Sequence, residues 1–276
     1  MAISNGSRIY TNIGAMSAYN ALNSINSKIG TAQMRLASGK RVNSAADDPA
    51  GYTIGKKLDA RARSMGQALN NVGELKNILS VAEGGLQAVN DIYVGIKEKV
   101  IQAGNGSYGA DELSALVTQV QDMLAEVDDI ISETKFNGSS LLNAQFTSKT
   151  FQTGSDSGDS VSVSLNATID SADFGLSSIT SANIGASATL GSLDTAVSRV
   201  STELQKIGSL ISRMDIKEQT LSVSITNTEA AKSRIMDADM AKEQLEMTKL
   251  QILQQTSTTQ LAQANSAPQN ILSLFR

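Results

Sequence analysis

Twenty-seven carboxylates, no histidine and no cysteine set the chemistry open to this chain of 276 residues. Without a thiol or an imidazole there is no cysteine nucleophile, no disulfide, no zinc site of the common types and no histidine acid–base catalysis. What remains is carboxylate chemistry, so the paired acids come first. Asp47-Asp48 and Asp128-Asp129 are sequence neighbours, and on a helix neighbours point apart, which makes a poor catalytic dyad. Asp128-Asp129 reads as solvated helix surface, and Asp237-Ala-Asp239 as two polar positions opening the C-terminal segment. Gly154 to Asp159 has a faint calcium-loop flavour but lacks the spacing and terminal glutamate of an EF-hand, so it reads as a hairpin turn. No motif supplies a nucleophile with a base, and no cofactor or metal is implied. The residues point away from an enzyme and toward a protein that acts through its surfaces.

Those surfaces must be helical. Apolar residues make up 41% of the chain but aromatics only 4%, with no tryptophan, so the core is aliphatic and suits slim, closely packed helices. Only Pro49 and Pro268 could interrupt them. The nine methionines fall mostly on helix seams, where they fill irregular gaps. No apolar run reaches the roughly eighteen residues that span a bilayer, and Met1 to Tyr10 has no apolar stretch of the kind a cleaved signal needs. Net charge is −4 but uneven: residues 1–46 carry five bases and no acid, residues 47–235 carry −8 and residues 236–276 carry −1. The bases are sparse and no aromatics interleave with them, so nucleic-acid binding is not expected.

Two stretches carry the strongest pattern. In the last forty residues Met236, Met240, Met247, Leu250, Leu261 and Ala264 fall on one seam with steps of four and three, and Glu243, Gln254 and Ser257 fill its gaps. That is a coiled-coil period and it specifies a partner helix. The seam continues to Leu272, Leu274 and Phe275 at an apolar tip. Near the other end, Ala18, Leu22, Ile25, Ile29, Ala32 and Leu36 step in the same way. Each arm would be roughly 35–60 Å long at 1.5 Å per residue. Two lone helices bury little area against the entropy of ordering them. The paired N- and C-terminal helices are therefore expected to be completed by copies from other subunits.

Between the arms the chain reads as a mainly α, long antiparallel helical rod, a coiled-coil bundle with a small β-hairpin. Asn43, Asp47, Asp48, Pro49 and Gly51 mark a connector after the first arm. From Tyr52 to Ala103, Leu58, Ala62, Met65, Leu69, Val72, Leu75, Leu79, Ala82, Leu86, Val89, Tyr93, Ile96 and Val100 form one helical seam with a three-residue slip at Leu75. After a glycine-rich turn, Leu113, Val117, Val120, Leu124, Val127 and Ile131 make a second helix, folded back as a hairpin. Val161, Val163, Leu165, Ala167 and Ile169 alternate with polar residues, a half-buried strand whose partner is Thr147 to Thr153. A third helix from about Leu190 to Met236 carries Leu193, Val197, Val200, Leu204, Ile207, Ile211, Met214, Leu221 and Ile225. The domains expected are 1–46 with 236–276, and 47–235 with a β element at about 145–170.

Three motifs then resemble those of one family. Arg35-Leu-Ala-Ser-Gly-Lys-Arg-Val-Asn-Ser-Ala-Ala-Asp-Asp-Pro-Ala-Gly51, Phe136-Asn-Gly-Ser-Ser-Leu-Leu142, and Gln251-Ile-Leu-Gln-Gln255 followed by Leu261 to Arg276 are similar, in order, to stretches of bacterial flagellins. The resemblance implies a structural subunit of the flagellar filament, a hollow helical polymer of copies of this chain. Its terminal arms would form an inner tube, residues 47–235 an outer tube, and the connector a spoke. It implies an extracellular protein secreted without a cleaved signal, with the flagellar type III export apparatus, a chaperone, the filament cap and hook-junction proteins as partners, and no membrane insertion. With only about fifty-five residues, 137–192, between the helices, a short form lacking variable outer domains is expected. The alternative is a hook–filament junction adaptor with the same terminal helices. Many flagellins are sensed by a Toll-like innate receptor through a Q-R-V-R-E-L stretch; the matching positions here include Gly95, Lys97, Glu98 and Lys99, so weak or absent activation is expected.

Overall fold

The computed structural model describes residues 11–165 and 169–274, with side chains of the last helix described to Ser266. It is mainly helical: α1 (Ile13–Ser38), α2 (Pro49–Ala103), α3 (Ala110–Glu133), α4 (Ser187–Met236) and α5 (Met240–Leu274). Two antiparallel hairpins join them, β1 (Lys135–Phe136) with β2 (Ser139–Ser140), and β3 (Phe146–Gln152) with β4 (Ser160–Leu165). The chain divides into two compact units, 1–60 with 227–276, and 61–226.

The helix ends follow from local chemistry. The Asn12 side chain accepts the Ala15 amide, and Gly39 closes α1 in the left-handed region at φ 69°, donating its N–H to the Arg35 carbonyl at 2.8 Å. Asp48 caps α2 by accepting the Gly51 amide at 2.9 Å, with Pro49 in the first helical position, where its missing N–H costs nothing. Asp239 accepts the amides of Ala241 and Lys242 to start α5.

In residues 61–226 the predicted seams become a core. On α2, Val72, Leu75, Leu79, Val89, Tyr93, Ile96 and Val100 are fully buried, and Val120, Leu124, Val127 and Ile131 of α3 join them. At about 1.5–3 kcal/mol for each large apolar side chain buried, this is the main stabilising term of the unit. The α4 seam differs from its reading. Leu193, Val200, Ile207, Met214 and Leu221 are buried as expected, but the residues between them are Ala196 and Glu203, with Val197, Leu204 and Ile211 half-buried beside them. The apolar stripe is wider than one heptad seam, and its centre line runs one residue earlier. Glu203 stays satisfied through the Lys206 ammonium, 2.6 Å from its Oε1.

The β3–β4 hairpin has the expected strands, paired from Phe146–Leu165 to Gln152–Ser160 with a bulge after Phe146. Val161, Val163 and Leu165 point into the core. The strand stops at Leu165; Ile169 is buried outside it, and Ala167 lies outside the described residues. The smaller hairpin turns on Asn137 and Gly138, both with positive φ (48° and 79°), the conformation an Asn-Gly turn favours. It lies close to α2 because Gly85 has no side chain: a Cβ there would come within 2.7 Å of Thr134 Oγ1. The irregular segment 169–184 is pinned by polar contacts. Tyr93 donates its hydroxyl to the Ile169 carbonyl at 2.7 Å and meets Phe174 edge-on. Asp128 accepts both the amide and the hydroxyl of Ser171. Burial, and then the charges of Asp128, Asp170 and Asp173, push the Tyr93 phenol upward from its ordinary value.

Candidate assembly surface

In the other unit α1 and α5 pair antiparallel, and the polar contacts give the register. Arg35 Nη1 lies 3.3 Å from Glu243 Oε1. Gln254 Nε2 donates to Asn26 Oδ1 at 2.7 Å, and Asn12 Nδ2 donates to the Ala264 carbonyl at 2.7 Å. As one partner's number rises the other's falls by nearly as much, so a single alignment holds from one end of the pair to the other. The Glu243 side chain is only 15% exposed and that of Arg35 31%, and Arg35 Nε is buried without a partner. Polar groups in such a seam weaken it but favour one register over others.

The seam residues are where the two helices meet. Ala32 and Leu250 are buried at 4% exposure each. Ala18, Leu22, Ile25, Ile29, Leu36, Met247, Leu261 and Ala264 are half-buried. Met240 is 46% exposed, because it opens α5 where α1 has already ended at Ser38. The side chains of Leu272 and Leu274, and Phe275 as a whole, lie outside the described residues. Other apolar residues of the same two helices face away from the seam: Ile13, Met16, Tyr19 and Met34 on α1, and Leu245, Ile252 and Leu253 on α5 are each at least 40% exposed. Seam counting missed them because it follows one stripe. The signal was there in Leu245 and Ile252, seven residues apart.

The two connectors are stitched together. Lys40 and Asp237 form an antiparallel bridge, the Arg41 amide donates to the Met236 carbonyl at 2.7 Å, and the Ala238 amide donates to the Gly39 carbonyl at 2.9 Å. Arg41 Nη2 adds a bond to the Ile235 carbonyl, and Val42 is buried. Within the connector, Asp47 Oδ2 accepts the amides of Asn43 and Ser44 and the Ser44 hydroxyl. Those donors, led by the Ser44 amide, hold the Asp47 carboxyl below its ordinary pKa. Asn43 also donates its side-chain amide to the Lys40 carbonyl. Asp47 and Asp48 therefore have separate tasks, one closing the loop and one capping α2.

The remaining sequence candidates lie on α2. Gly95 is half-buried with Met123 Cε 3.0 Å from where a Cβ would stand, Lys97 pairs with Asp194, and Glu98 is exposed while Lys99 is half-buried. No helix among the described residues is long and apolar enough to cross a membrane.

Both ends of the chain are helical, pair with each other and leave apolar residues outward. The family models agree: the N-terminal helical region of bacterial flagellin matches residues 9–147 and the C-terminal helical region matches 190–275. The chain is 34% identical to flagellin FlaB1 of Treponema pallidum, over 96% of this chain and 98% of that one. It is also 34% identical to a flagellin of Bacillus subtilis, over 98% and 100%. A solved Vibrio parahaemolyticus structure, provisionally assigned as a flagellar hook-associated protein, shares the fold at a TM-score of 0.58. Its identity is 16%, over 69% of this chain and all of that one. At that identity the likeness shows the fold alone. This chain belongs to the bacterial flagellins, a family of structural proteins rather than enzymes.

Proposed function

We propose that this chain is the structural subunit of an extracellular flagellar filament and that the α1–α5 pair is its polymerisation surface. One observation carries the reading. The helices bury their common seam only partly and leave Ile13, Met16, Tyr19, Met34, Leu245, Ile252 and Leu253 outward, a surface a soluble monomer gains nothing by exposing. Copies of the same pair cover it in the polymer. Residues 1–46 and 236–276 are then the inner tube and 47–235 the outer, with Asn43, Asp47, Asp48, Pro49 and Gly51 as the spoke. The subunit travels through the flagellar export apparatus without a cleaved signal, guided by a chaperone, and meets the cap and hook-junction proteins at the filament ends.

Electron microscopy of purified protein after addition of filament seeds tests this. Long filaments growing with subunit concentration are expected; rings of fixed size point to the junction adaptor, and particles that never lengthen overturn the reading. The stretch Gly95, Lys97, Glu98 and Lys99 is a weak match for Toll-like receptor sensing, since Lys97 is engaged by Asp194 and Gly95 offers no side chain. A reporter-cell response equal to that of a stimulatory flagellin would overturn that part.

A further inference from the structure

The chain has no cysteine, so thioethers are its only sulfur. The described methionines span a wide range of exposure, with Met123 and Met247 half-buried. Met65, Met214 and Met236 are at most 7% exposed, whereas Met16 is 59%, Met34 58% and Met240 46% exposed. All three exposed ones are on the terminal helices, Met16 and Met34 among the outward apolar residues and Met240 at the open end of the seam. Met16 and Met34 are eighteen residues apart, five full turns at 3.6 residues per turn, so they stand on one line along α1. The antiparallel register brings Met240 to the end of the pair where Met34 lies.

We infer that Met16, Met34 and Met240 are the oxidant-sensitive modification sites of the free subunit, and that their conversion to sulfoxide blocks its addition to the filament. The reacting partner is a peroxide. A sulfur lone pair attacks one peroxide oxygen, the O–O bond breaks, and the other oxygen leaves as water after taking a proton; sulfur is oxidised and the peroxide reduced. Each sulfoxide puts a polar, chiral group where an apolar, adaptable side chain met its neighbour. Met65 and Met214 are shielded by the core, and Met236 is buried beside Gly55. Assembly shields the exposed three, so the sensitivity belongs to subunits not yet incorporated. This second half rests on the filament reading above; the selectivity of oxidation does not.

The test uses dilute full-length subunit treated with hydrogen peroxide, peptide mapping by mass spectrometry, and seeded growth followed by sedimentation. Met16, Met34 and Met240 are expected to oxidise at least about tenfold faster than Met65, Met214 and Met236, and the threshold concentration for growth to rise about tenfold. Incubation with the two epimer-specific methionine sulfoxide reductases and an added thiol reductant, which supplies the two electrons, restores growth without any variant. The triple variant M16L/M34L/M240L, a volume-conserving change, is expected to lose no growth to peroxide relative to its own untreated control. Equal oxidation at all six positions overturns the site assignment, and undiminished growth of a subunit carrying the three sulfoxides overturns the block. Untreated subunit that never polymerises overturns the filament reading instead, while the mapping still decides which methionines react.

Discussion

Two seams built on the same heptad spacing end in different states. On α2, eight residues from Val72 to Val100 lose all contact with solvent, because α3, α4 and the β3–β4 hairpin close over them. Among the described residues of α1 and α5, only Ala32 and Leu250 are buried, and the rest of their seam stays half open. The difference is a matter of how many elements are available. One unit supplies enough layers from its own chain to finish a core, while two helices side by side leave most of each circumference bare. On the proposed reading, the first region is expected to hold in the lone subunit and the second to gain stability with subunit concentration.

The sharpest way to break this contrast is to cut the same size of hole in both regions. Leu79→Ala should cost about 3–4 kcal/mol in urea unfolding of the dilute subunit, the usual range for a buried leucine. Leu250→Ala should barely move that transition yet raise the growth threshold several-fold; equal losses in the dilute subunit would erase the distinction. Proteolysis reads the same contrast from the chain's ends. In dilute subunit, cleavage should fall within residues 1–46 and 236–276, and in the filament both should be protected.

Smaller effects probe the polar pins. Tyr93→Phe removes the bond to the Ile169 carbonyl and should cost about 1 kcal/mol. The phenol is held protonated more firmly in the fold than in the unfolded chain. Its contribution is therefore complete below about pH 10 and declines as pH climbs toward the raised folded value. Alkaline unfolding followed by circular dichroism should lose that component in the Phe variant. Asp47 acts in the opposite sense. Its lowered pKa gives stability that is present above about pH 4 and lost as pH falls through the folded value. Asp47→Asn should flatten the acid limb of connector opening, measured by amide exchange at Asn43 and Ser44.

The sequence made the helices and the main hairpin readable because burial there imposes a period: seven along α2 and α3, two along Val161 to Leu165. It was less readable where burial and polarity part company. Glu203 sits in the α4 core with its charge met by Lys206, and no apolar count finds a glutamate. The Asn137-Gly138 hairpin was present as a motif, but two-residue strands have no periodicity to announce them. The outward Tyr19 and Leu245 carry no meaning until the partner helix shows which side is already taken.

The antiparallel alignment of α1 with α5 has a consequence for how such a chain can vary in length. Removing one residue from either helix turns everything beyond the cut by about 100° and sends half the stripe to the wrong side. Shortening is tolerated only in sevens, and seven lost from one helix must be matched by seven from the other, or the contacts of Arg35, Asn26 and Asn12 all meet strangers. Natural insertions and deletions are therefore expected to gather in the β3–β4 region, where nothing counts in heptads.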